Sequence, residues 1–178
     1  MLAAWLEREQ LNDTPEPAML EWLFNQDSLT RRLTHLSQDR FSVLPLQEGW
    51  QILRDDECAA LHIPVASEGW VREVYLLGHD EKWVFARSVA ARSALLASGL
   101  NMEALGTRSL GELLFSDPAF ERGPLQVCRY PADWLPASDA MPGLWARRSC
   151  FSRGPLSLVV TEVFLPDLWN AIQTKEHA

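Results

Sequence analysis

The stretch WVREVYLLGHDEKWVFARSV, residues 70–89, decides the fold. Two runs rich in β-branched and aromatic residues, 70–77 and 82–89, flank Gly78-His79-Asp80-Glu81. Such runs around a short turn-forming link predict a β-hairpin, and strands joined so tightly must be antiparallel. Side chains alternate between faces along a strand. One face of the first strand therefore carries Trp70, Arg72, Val74 and Leu76, and one face of the second carries Trp83, Phe85, Arg87 and Val89.

The same pattern recurs on either side. FSVLPL (41–46) and WQILR (50–54) flank Gln47-Glu48-Gly49, read as another hairpin turn. LQVCRY (125–130), GLWARRSCF (143–151) and PLSLVVTEVFLP (155–166) are strand-like, the last two joined by Ser152-Arg153-Gly154. Helical spacing appears at the front, in 16–24 and in SLTRRLTHLS (28–37), where Leu29, Leu33 and Leu36 share a side and Asp27 or Ser28 can cap. A helical insert covers the segment that includes MEAL and SLGELLF (109–115), and 55–69 reads as an irregular connection. Residues 1–15 read as a leader ended by Pro15 and Pro17, and 167–178 as a peripheral, frayed tail. Front helices, hairpins, a helical insert and more hairpins predict one α+β domain over 1–178 with a largely antiparallel sheet.

Composition narrows the function. Of 178 residues 47% are hydrophobic, enough for one packed core, and eight tryptophans supply large flat side chains for a core or a pocket. Acidic residues outnumber basic ones 24 to 16, for a net charge of −8, which disfavours nucleic acid and anionic lipid as partners. An anionic substrate would need locally placed arginines. Cys58, Cys128 and Cys150 are scattered, as are His35, His62, His79 and His177, so neither a disulfide framework nor a metal-ligand spacing is seen. No signal-peptide pattern and no apolar run long enough to span a bilayer is found, and the expected setting is the cytoplasm.

Ionisable residues on apolar faces are the sharpest signal. Arg72 and Arg87 interrupt the two faces named above, and Glu162 interrupts the face of Leu156, Leu158, Val160 and Phe164. Each must meet a partner, because an unpaired buried charge costs several kcal/mol, roughly, even after relaxation. The partners could be one another, as a structural Arg–Glu pair, or a bound anion beside a carboxylate. Two arginines against one glutamate leave a spare positive charge, which favours the anion. Arg147 and Arg148 must face opposite ways, one of them toward solvent. Glu73, Arg31 and Arg32 read as structural or solvated, and Cys128 and Cys150 as small core residues.

The segments WLFNQDSLTRRL (22–33), WVREVYLL (70–77), WVFARSV (83–89), LGELLF (110–115), GLWARRS (143–149) and LVVTEVFLP (158–166) together resemble the chorismate pyruvate-lyases of ubiquinone biosynthesis. The resemblance implies an antiparallel sheet with helices on one face and an enclosed ligand between them. It implies that Arg72 and Glu162 bind substrate, that Leu29 and Leu110 touch the ligand, Leu110 through its backbone, and that Arg72, Glu162 and Arg87 are catalytic, Arg87 adding positive charge to the same cavity. Two positions depart from the family pattern: Leu29 stands where methionine is common, and Ala86 where glycine is familiar. The implied reaction removes the enolpyruvyl side chain of chorismate to give 4-hydroxybenzoate and pyruvate without a cofactor or metal, in a monomer. Glu162 would accept a hydrogen bond from the ring hydroxyl and serve as a base, or only orient the ring. Two other classes stay open: a non-catalytic sensor of small aromatic acids, since effector domains of some transcription regulators are similar in fold, and a scaffold for quinone synthesis.

Overall fold

The structure is a computed structural model and describes residues 3–178. In chain order its elements are α1 (Pro17–Phe24), α2 (Leu29–Leu36), β1 (Phe41–Ile52), α3 (Asp55–Leu61), β2 (Glu68–Gly78), β3 (Glu81–Ala91), α4 (Arg92–Ser98), α5 (Leu110–Ser116), β4 (Glu121–Arg122), β5 (Gln126–Arg129), β6 (Trp145–Arg153), β7 (Leu156–Phe164) and α6 (Pro166–Glu176). They form an α+β fold around a seven-stranded sheet of order β1-β2-β3-β7-β6-β4, with β5 also paired to β6 and every pairing antiparallel.

The hairpin at 70–89 is present, and it closes tightly. His79 and Asp80 both hold positive φ, 52° and 63°. That is the backbone of a two-residue turn whose twist matches the strands. One residue beyond the turn the register shifts: Leu77 faces Lys82, but Leu76 faces Val84. Trp83 is the extra residue, a bulge that turns everything after it to the opposite face. Its indole lies fully buried against Gly78, where an added Cβ would meet the ring at 2.2 Å.

Five helices pack on one face of the sheet. Trp22, Leu23, Leu29 and Leu33 of α1 and α2 join Val74, Leu76, Val84 and Phe164 and also Leu168 and Ile172 of α6. Leu95, Leu110 and Leu114 of α4 and α5 join Trp70, Leu158, Val160 and Phe151. The other face is covered too, by α3 through Cys58 and Leu61 and by the loop carrying Tyr130 and Leu135. β2 and β3 are thus buried on both faces.

Three expectations are corrected. Residues 41–52 form one long strand with a bulge between Pro45 and Gln47, not a hairpin, because the whole segment pairs continuously with β2. Part of the connection 55–69 is helix α3, begun by three consecutive acidic residues that suit a helix N-terminus. The tail is a docked helix rather than a frayed end: Leu168 is completely buried and Pro166 starts the helix where its missing N–H is harmless. Among the described residues no helix is long and apolar enough to cross a membrane.

Candidate active site

The registers define a grid on the face under α2 and α5. One row runs Val74, Ala86, Glu162, Arg147 across β2, β3, β7 and β6. The next runs Arg72, Ser88, Val160, Ser149. Short side chains form the floor, with Arg72 and Arg147 at diagonally opposite corners and Glu162 beside Arg147. Leu29 and Thr30 of α2 and Ser109, Leu110 and Phe115 of α5 and its cap close the space above, leaving a narrow hollow of about 40 Å³. Thr30 Oγ1 and Ser109 Oγ lie 2.7 Å apart and tie the two roof helices together.

Both helices begin at this hollow. Ser28 and Ser109 cap them, each accepting a backbone N–H from the first turn. Leu29 and Leu110 are therefore first helical residues, whose N–H groups have no acceptor within the helix.

Arg72 is almost wholly buried, at 2% exposure, and its guanidinium is held on one side. Nη1 donates to Glu48 at 2.7 Å, and Nη2 donates to the carbonyls of Gly106 and Arg108, both at 2.9 Å. A guanidinium has five N–H donors. Nε–H and one Nη1–H thus have no protein acceptor among the described residues. Glu162 is paired not with Arg72 but with Arg147, whose Nε donates to Oε1 at 3.0 Å. Arg147 Nη1 donates to the carbonyls of Trp22 and Asn25, leaving Nη2 over. Arg122, on the edge strand β4, also lines the hollow. Burial, reinforced by the charge of Arg147, pushes the Arg122 guanidinium down to about 10, with Glu162 opposing. A cation strained in this way gains from an arriving anion.

The structure thus brings Arg72, Glu162, Leu29 and Leu110 to one hollow. Arg87 is not among them. The Trp83 bulge sets it opposite Glu73, on the far face. There its Nε and Nη2 grip Glu57 at 2.7 and 3.0 Å, and Nη1 reaches Glu73 at 3.2 Å. Burial alone would lower its pKa, but the two carboxylates hold it above the ordinary value, so it is a satisfied buried cation. Single-strand alternation could not place it, since both faces of β3 are buried. Arg147 and Arg122 were missed as site residues. The WARRS run signals that one arginine must face inward. It is Arg147; Arg148 turns to the far face, where it meets Gln126 and Asp56 and is half-buried rather than free in solvent. A two-residue edge strand gives Arg122 no periodicity to read.

An open antiparallel sheet roofed by helices defines a fold class. Solved members with this fold include PhnF from Mycobacterium smegmatis, at 12% identity, TM-score 0.51 and coverage of 80% of this chain and 65% of that one. Another is a GntR-family transcriptional regulator from Bacillus cereus, at 10% identity, TM-score 0.50 and coverage of 72% and 93%. Within that class, sequence is decisive: the chorismate lyase family matches residues 1–174, and this chain belongs to it. A relative from Pseudomonas syringae pv. tomato, named "Probable chorismate pyruvate-lyase", is 71% identical over 98% of this chain and 94% of its own. One of the same name from Pseudomonas aeruginosa is 64% identical over 94% of each.

Proposed function

We propose that the protein converts chorismate to 4-hydroxybenzoate and pyruvate, the first committed step toward ubiquinone. The observation that carries this reading is the convergence of Arg72 and Glu162, from separate strands, on one roofed hollow floored by the short side chains of Ala86, Ser88 and Val160. The names of close relatives support it.

The chemistry asks little beyond positioning and charge. The bond from the ring to the enolpyruvyl oxygen breaks, and the ring hydrogen on the hydroxyl-bearing carbon leaves as a proton. The electrons of that C–H bond complete the aromatic ring, and the enolpyruvate leaving group takes up a proton to become pyruvate. Aromatisation drives the step. Arg72 directs its spare N–H donors at a carboxylate or at the departing oxygen, whose developing charge fixed donors stabilise strongly in a water-poor site. It cannot give up a proton, because guanidinium stays charged. Glu162 keeps Oε2 without a protein donor among the described residues, so that oxygen accepts from the ring hydroxyl and stands as the base for the ring proton. The first-turn N–H groups at Leu29 and Leu110 add neutral donors from the roof. The reducing cytoplasm is the proposed setting and suits three free cysteines.

Mixing the purified protein with chorismate and following 4-hydroxybenzoate by its absorbance tests the reading. Catalytic release of product is expected. Saturable binding of chorismate without turnover would overturn the lyase reading in favour of a sensor of small aromatic acids.

A further inference from the structure

Chorismate carries two carboxylates, and Arg72 can hold only one. The row beneath the hollow shows where the other would go. It starts at Arg72 on β2, crosses Ser88 and Val160, and ends at Ser149 on β6. That is three strand spacings, about 14 Å between the end Cα positions. At the far end Arg122 reaches in from β4, where it faces Phe151, and its Nε donates to Ser149 Oγ at 3.0 Å. Nη1 donates to the carbonyl of Gln26 at 3.1 Å, and the rings of Phe115 and Phe151 flank the guanidinium at 5.5 and 5.2 Å. The group is thereby fixed in place, with Nη2 given no protein acceptor among the described residues. Arg147 beside it likewise has Nη2 left over. Glu162 meets Arg147 through one oxygen only, and Arg122 has no acidic partner within ion-pair distance among the described residues.

We propose that Arg122, backed by Arg147, seats the second carboxylate of the substrate opposite Arg72, and so selects dianionic over monoanionic ring acids. This rests on the lyase reading above and adds the specificity-determining residue to it. The two cationic ends lie across a floor of Ser88 and Val160, so the ring spans between them while Glu162 addresses it from the neighbouring row. After the reaction the ring keeps one carboxylate only. The product therefore loses its hold on Arg122 but not on Arg72.

The test compares ligands and one substitution. In the unaltered protein, a benzoate bearing an enolpyruvyl-type ether with a free second carboxylate should bind about 10- to 100-fold tighter than its methyl ester at that carboxylate. Arg122→Met should abolish that difference and raise KM for chorismate by a similar factor, while binding of 4-hydroxybenzoate stays close to wild type. Equal binding of acid and ester by the unaltered protein would overturn the proposal, and that measurement does not depend on the variant folding. So would an Arg122→Met loss that falls equally on chorismate and 4-hydroxybenzoate. A preserved acid-to-ester difference without turnover would instead remove the lyase reading and leave the clamp standing.

Discussion

Arg72 and Arg87 occupy adjacent strands and have opposite roles because of what surrounds each. Arg87 is enclosed by Glu57 and Glu73, so its charge is fully answered by protein. Removing one member of a buried ion group leaves the others uncompensated, at a cost of about 3–5 kcal/mol. Arg87→Met should therefore lower the melting temperature sharply without changing KM for chorismate, as denaturation and steady-state assays on the folded fraction would show. Arg72 has donors to spare and faces a ligand space. Arg72→Lys keeps the charge but loses the planar fork, and should reduce kcat/KM by about 100-fold with a small change in melting temperature. Glu162→Gln retains an acceptor for Arg147 but cannot take a proton. A fall in kcat of about 100-fold or more is expected if Glu162 is the base. A much smaller fall would restrict it to orienting the ring.

At the scale of elements, one bulged residue decides which charges share a face. Read without the bulge, the hairpin would set Arg72 against Arg87; with Trp83 inserted, Arg87 meets Glu73 instead. The hairpin, its antiparallel sense and the inward Arg72 and Glu162 were legible in local sequence, because turn residues and alternation are local signals. The bulge was not, because a tryptophan buried on either face satisfies the same pattern. The same limit hid α3 and the docking of α6, where burial of Leu168 and Ile172 depends on a sheet face that is distant in sequence. The bulge depends on Gly78, whose missing side chain leaves room for the indole. Gly78→Ala should destabilise the fold by about 1–3 kcal/mol through overpacking, seen as a lower denaturation midpoint with an unchanged slope. It should also weaken activity more than a surface glycine change does, since the register downstream positions Ala86 and Ser88 in the floor of the hollow.

Across the whole molecule, the charge of −8 opposes a dianionic substrate, and the hollow reverses that sign locally. Arg72, Arg122 and Arg147 face Glu162 within it, with Glu48 behind Arg72. Composition predicted that local arginines would be needed, but not which ones, because Arg122 and Arg147 reach the hollow only when β4, β6 and β7 assemble. The likeness to the solved regulator structures, at 10–12% identity, is one of fold alone. A crystal structure with 4-hydroxybenzoate bound tests the central claim most directly. The ring should lie beneath Leu29 and Leu110, its carboxylate on Arg72 and its hydroxyl on Glu162. A ligand found elsewhere, on the Arg87 face or in the open groove lined by Arg31 and His35, would contradict it.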